Sequence, residues 1–148
     1  MEAIVFVGIQ ASGKSSFYRE RFFNTHVRIN LDMLRTRHRE EVLLDTCIAG
    51  KIAFVVDNTN PTIEDRARYI SAAKAAAFRV VGYYFQSEIE ACKERNAGRH
   101  SAQQVPLPGL LSTHARLQLP TYAEGFDALF YVQLAGNEFV VEEWKDEV

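Results

Sequence analysis

Residues 8–15 read Gly-Ile-Gln-Ala-Ser-Gly-Lys-Ser, the pattern G-x-x-x-x-G-K-S. No other feature limits so strongly what this chain can fold into. Glycines let the backbone curl until successive N–H groups face one point, and a helix starting there adds its dipole. Such a loop must hang from the end of a strand and open into a helix. The flanks comply: AIVFV at 3–7 is a β-branched and aromatic run, and 14–23 has helical character. A chance glycine-rich turn would explain neither flank. The octet predicts a phosphate cradle built from Gly8, Gln10, Ala11, Ser12, Gly13, Lys14, Ser15 and Ser16. Lys14 is expected to reach the β- and γ-phosphates of ATP, and Ser15 to ligate Mg2+.

Further along, strands and helices alternate. VRIN at 27–30, IAFVV at 52–56, RVVGYYF at 79–85 and ALFYVQL at 128–134 are strand candidates, with FVVEEW near the end as a small edge strand. Helices are expected over 31–50, from Pro61 to about Ala77 with Asn60 as cap, and over 87–99. The strands are continuous apolar runs, which predicts an α/β fold with a parallel sheet of about five strands covered on both faces. The stretch 100–120 holds Pro106, Pro108, Gly109 and Pro120 and is expected to be loop plus one short helix. At 148 residues the chain fits one domain, 1–148.

Composition excludes several classes. The apolar N-terminal run is too short to span a membrane and lacks a basic flank, so a cytoplasmic protein with no membrane association is expected. Cys47 and Cys92 show no metal or redox spacing and read as buried thiols. His26, His38, His100 and His114 show no metal spacing either and are expected at the surface. Net charge is -2, but the last twelve residues hold five of the 19 acidic side chains and one of the 17 basic ones. The body is therefore slightly basic, too weakly for a non-specific duplex binder.

Three further groups bear on chemistry. Asp32 and Arg35 follow a strand end and share a helix face. Asp32 either takes a proton from an attacking hydroxyl or merely caps the helix; Arg35 either grips a substrate phosphate or is solvated. Asp57 ends an apolar strand, the place for a magnesium-associated acid, although Asn58-Thr59-Asn60 beside it also suits a turn. Arg95 and Arg99 are four apart. They form either part of a lid over transferring phosphates or an ordinary solvated face.

Taken in order, GIQASGKSS (8–16), NLDMLR (30–35), VVDNTN (55–60), CKERNAGR (92–99) and VPLPGLLSTHARLQLPTYAEGF (105–126) resemble the 5′-kinase domain of polynucleotide kinases. These are P-loop kinases related to adenylate kinase. The resemblance implies a three-layer P-loop kinase fold with a short helical lid at about 87–120. It implies ATP and Mg2+ as cofactors, with Ser15 and Asp57 at the metal. It makes Asp32 the base for a 5′-hydroxyl of DNA or RNA and Arg35 a clamp on the adjoining phosphate. Asp57, Thr59 and Asn60 would flank the acceptor, while Arg95 and Arg99 cover ATP; Lys14, Asp32 and Arg99 are the expected catalytic groups. Family members often carry a phosphatase or another repair domain in the same chain; here none is read, so the expectation is an isolated kinase, a separate phosphatase or ligase partner for the other end-healing steps, or a move to a different hydroxyl acceptor. Competing readings are a kinase of a small hydroxyl compound (nucleoside, sugar or antibiotic) and an ATP-binding regulatory module.

Overall fold

A computed structural model of the chain describes residues 1–145. Six strands form one sheet in the order β2-β3-β1-β4-β5-β6. They are β1 (Glu2–Val7), β2 (Val27–Ile29), β3 (Phe54–Val56), β4 (Arg79–Phe85), β5 (Ala128–Ala135) and β6 (Glu138–Glu143). The first five are mutually parallel. β6 is antiparallel to β5, pairing Val132 with Val141 and Gln133 with Val140. The expected parallel sheet is therefore present, extended by a six-residue edge strand; the acidic run at the end of the sequence continues into 146–148, outside the described residues.

The helices are α1 (Lys14–Arg21), α2 (Leu31–Leu34), α3 (Arg37–Gly50), α4 (Ile63–Ala75), α5 (Ile89–Ala97) and α6 (Leu107–Arg116). Successive residues of a strand point to opposite faces. In β1, Ala3, Val5 and Val7 join a core with Leu44 and Cys47 of α3 and Tyr69, Ile70 and Ala73 of α4. Ile4 and Phe6 face the other way, onto Phe17 and Tyr18 of α1. A strand buried on both faces has no polar alternation, which is why AIVFV reads as an unbroken apolar run. Helices thus cover both faces of the sheet, in the three layers expected.

Two helix expectations need correction. The stretch 31–50 is not one helix. Arg35 has φ 78, and Thr36 is extended with its side chain accepting from the Arg39 N–H as the cap of α3. The fourth helix does not begin at Pro61 under an Asn60 cap. Thr62 caps it, in a capping box with Asp65, and Asn60 sits at φ 45 with its side-chain amide donating to the Phe6 carbonyl at 2.8 Å. In both places a threonine inside the expected helix supplies the acceptor for the orphan N–H groups.

The 100–120 stretch contains a 3-10 turn at Ser101–Gln103 and then α6. Asn96 ties the two parts together, donating to the Val105 carbonyl at 2.7 Å and accepting from its N–H at 2.9 Å. The closing Glu-Gly-Phe also gains a role. Glu124 takes a bidentate pair from the fully buried Arg66 of α4, at 2.8 and 3.1 Å. Phe126 fills the space over Gly82, where a β-carbon would lie 2.7 Å from its ring. Cys47 and Cys92 are buried, as expected. His38, His100 and His114 are exposed, whereas the His26 side chain is only 10% exposed and contacts Glu2 at 3.2 Å.

Candidate functional site

β1 lies between β3 and β4, so the chain leaves it toward one side of the sheet and later crosses to the other. A crevice forms at such a reversal, at the carboxyl ends of the strands. Here it is a cleft of about 450 Å3. Its walls include Gln10, Ala11, Lys14 and Ser15 from the loop after β1, and Asp32 from α2. Asp57, Thr59 and Asn60 after β3 and Arg99 after α5 are the other expected residues that line it.

The phosphate loop is held from three sides. Gly13 caps α1 at φ 102, a backbone region that a side chain would strain, and the Phe139 ring of β6 lies 3.0 Å from where a β-carbon would sit. The Gly8 N–H donates to the Thr59 carbonyl at 3.0 Å, and the Ile9 N–H to the Ser87 hydroxyl at 3.0 Å. Arg95 Nε donates to the Ala11 carbonyl at 2.7 Å. Gln10 Nε2 donates to the Thr113 hydroxyl of α6 at 3.0 Å, joining the loop to the 87–120 segment.

Lys14 is buried and donates to the Ile9 carbonyl at 2.8 Å, with the Ser12 hydroxyl 3.5 Å away. Burial pushes its pKa down to about 8; the Arg99 charge adds to this, while Asp57 and, more weakly, Asp32 oppose it. Lys14, Arg99, Asp57 and Asp32 thus feel one another across the cleft. Burial also lowers the pKa of the Arg99 guanidinium.

Asp57 is buried at the floor. Its Oδ2 accepts from the Ser15 hydroxyl at 2.9 Å and from Arg28 Nε at 2.8 Å. Its Oδ1 is buried with no hydrogen-bond partner among the described residues, an expense that native interiors rarely leave in place. A buried carboxylate oxygen with an open lone pair beside a hydroxyl is the donor chemistry a magnesium ion takes, with phosphate and water completing its shell. Ser15 and Asp57 therefore fit that ion.

Asp32 is exposed at the cleft edge. The capping alternative does not hold for it, because Asn30 is the cap and its Oδ1 accepts from the Met33 N–H at 2.9 Å. Six expected residues do not line the cleft: Gly8, Ser12, Gly13, Ser16, Arg35 and Arg95. Arg35 and Ser16 are exposed, and Arg95 braces the loop from behind. Gly8 and Ser12 likewise belong to the loop rather than to the wall.

Several residues escaped the sequence. Arg28 is the middle residue of β2 and donates to both Asp57 and Ser15. Arg37 lines the cleft where Arg35 does not, beside Arg116 of the 105–126 segment, which the family resemblance already assigns to the site. Glu40 is fully buried and gathers Arg37 at 2.9 Å, Asn58 at 2.9 Å and the Tyr69 hydroxyl at 2.8 Å. Asn58 in turn accepts from the Leu31 N–H at 2.8 Å, fixing the start of α2 and so the place of Asp32. Only the Arg37-x-x-Glu40 spacing hinted at part of this network.

Comparison with known proteins agrees with the geometry. Residues 35–120, more than half the chain, match a family model described as AAA domain; the matched stretch starts after the phosphate loop. A Schizosaccharomyces pombe protein named bifunctional polynucleotide phosphatase/kinase is 32% identical over 129 residues, covering 84% of this chain and 32% of its own length. The fold is similar to that of Chaetomium thermophilum Kti12 in complex with ADP-AlF3, with TM-score 0.65, 17% identity, and 92% and 91% of the two chains covered. It is also similar to a sugar kinase from Janibacter sp., with TM-score 0.68, 15% identity and coverage of 90% and 86%. The fold and the loop define a P-loop kinase. The chain belongs to the AAA-domain family and spans about a third of the length of the curated relative it matches. Among the described residues, no helix is long and apolar enough to cross a membrane.

Proposed function

We propose that this chain is a polynucleotide 5′-hydroxyl kinase that transfers the γ-phosphate of ATP to the 5′-OH end of DNA or RNA. One observation carries the proposal: Lys14, Asp32, Asp57 and Arg99 converge on a single cleft, with Asp32 relieved of capping by Asn30. The similarity to a protein named polynucleotide phosphatase/kinase supports the choice of acceptor.

Phosphoryl transfer goes through a loose transition state, so the protein contributes placement and charge compensation. The loop N–H groups and Lys14 hold the β- and γ-phosphates. Asp32 accepts the proton of the 5′-hydroxyl as its oxygen bonds to the γ-phosphorus; the bond from that phosphorus to the β,γ-bridging oxygen breaks, and ADP departs with the electron pair. Lys14 and Arg99 offset charge on the transferring group. Ser15 and Asp57 would hold Mg2+, which when bound supplies further neutralisation of the phosphate oxygens. Arg37 and Arg116 face the cleft as cationic partners for the acceptor's phosphates, with Arg35 exposed beyond them. Thr59 and Asn60 form the acceptor wall. A separate phosphatase or ligase is the proposed partner for the other end-healing steps, in the cytoplasm.

Asp32→Asn tests the assignment. Transfer is expected to fall by about 10²- to 10⁴-fold, the range typical of general base catalysis, with ATP affinity held within about twofold. Loss of ATP affinity alongside transfer would place Asp32 in nucleotide binding or folding instead.

A further inference from the structure

We propose that Arg28 is a built-in rival of the divalent cation at the Ser15–Asp57 pair and sets the metal concentration at which nucleotide binds. This rests on the kinase reading above. Arg28 closes a triangle: Nε donates to Asp57 Oδ2 at 2.8 Å, a terminal nitrogen donates to Ser15 Oγ at 3.1 Å, and Ser15 itself donates to the same Asp57 oxygen at 2.9 Å. The guanidinium thus contacts both groups that would hold the metal.

The chemistry of the serine makes the conflict concrete. A hydroxyl has one proton and two lone pairs. Ser15 gives its proton to Asp57 and one lone pair to Arg28. A hard cation bound there could take the second lone pair and the open Asp57 Oδ1, but it would sit against a fixed positive charge. Octahedral magnesium tolerates little displacement of its ligands, so a guanidinium fixed on the same pair of residues works against it.

Arg28 nevertheless has a reason to be there. The Asp57 side chain is only 1% exposed, and a buried carboxylate without a counter-charge is strongly destabilising. Arg28 provides that charge until a metal does. Its own side chain is 30% exposed, so it has solvent to move into. The alternative contacts around it are soft: the Met33 sulfur at 3.9 Å and the Tyr18 ring at 6.0 Å. The second cation near Asp57, Lys14, is committed to the Ile9 carbonyl on the loop side. Arg28 is therefore the group that exchanges with the ion. It acts through the metal ligands and is a positioning residue.

The test measures binding, not turnover. A fluorescent ATP analogue is titrated at fixed concentration with Mg2+ and with Mn2+, using the full chain, Arg28→Gln and Arg28→Lys. Arg28→Gln is expected to reach half-maximal binding at about fivefold less metal or lower, the floor of ordinary coupling between two bound groups. Arg28→Lys, which keeps the charge, should stay near the native chain. An unchanged or higher metal requirement in Arg28→Gln would overturn the proposal and make Arg28 a simple support for Asp57. Because Arg28→Gln leaves Asp57 uncompensated, thermal melts with and without Mg2+ accompany the titration. A larger metal-induced rise in Tm for Arg28→Gln than for the native chain supports the rivalry; an equal or smaller rise overturns it. If the native chain binds no metal–nucleotide complex, the kinase reading fails and this proposal falls with it. If native binding is normal and only the variant difference is missing, the Arg28 proposal fails alone.

Discussion

At the scale of single residues, the cleft is governed by where charge is buried. Lys14 is the clearest case, because burial holds its pKa at about 8. The unfolded chain keeps that lysine protonated up to its ordinary value near 10.5, so between these limits the unfolded state binds more protons. Lys14 therefore costs stability below pH 8, and that cost is relieved as pH rises through the window. Phosphate binding has the opposite preference, since it needs the charged form. Nucleotide affinity is expected to be flat below about pH 8 and to weaken above it, approaching tenfold per pH unit, in equilibrium titrations with a fluorescent ATP analogue. A profile flat to pH 9.5 would show that Lys14 is not the titrating contact. The phosphate loop and Asp57 were legible in the sequence because their backbone demands and strand-end position are local. Arg28 was not. An arginine between Val27 and Ile29 reads as the solvent-facing member of an alternating strand, and only the sheet order places it beside Asp57.

Elements position these residues through polar ties that cross long stretches of sequence. The Arg66–Glu124 pair joins α4 to the turn before β5, with side chains 0% and 5% exposed, and Arg66 also donates to the carbonyls of Asn60 and Gln118. Removing one partner of such a pair leaves an uncompensated buried charge. Glu124→Ala is expected to destabilise the fold by about 3 kcal/mol or more, read by urea unfolding with fluorescence of Trp144, the one tryptophan in the chain. That indole is 8% exposed and packed on Tyr84 and Tyr131, so it reports loss of the sheet core. A change below about 1 kcal/mol would mean that the pair is replaceable by solvent. Helix existence was readable from pattern, but boundaries were not. The break at Arg35 comes from a left-handed residue with no glycine to signal it, and the start of α4 from the Thr62 side chain, which caps it in place of Asn60. Asn60 is otherwise engaged, bonded to the Phe6 carbonyl 54 residues away, a contact invisible to local pattern.

Across the whole molecule, one parallel sheet places four distant segments at the same edge: the loop after β1, α2, the turn after β3 and the end of α5. The alternation of apolar strands and helices was enough to foresee that sheet. It did not reveal how β6 supports it, with Phe139 packed 5.1 Å from the Phe17 ring and against Gly13. The last strand thus braces the phosphate loop from behind, a role that a charge-rich tail does not announce. The choice of acceptor is likewise a property of the assembled cleft, where Asp32, Arg37, Arg99 and Arg116 meet although no two of them are adjacent in sequence. Incubating the protein with Mg2+, γ-labelled ATP and a panel of 5′-hydroxyl oligonucleotides, nucleosides and sugars tests the central claim most directly. Label is expected on the 5′ ends of oligonucleotides and not on sugars. Label confined to a small hydroxyl compound, with none on any oligonucleotide, would contradict it.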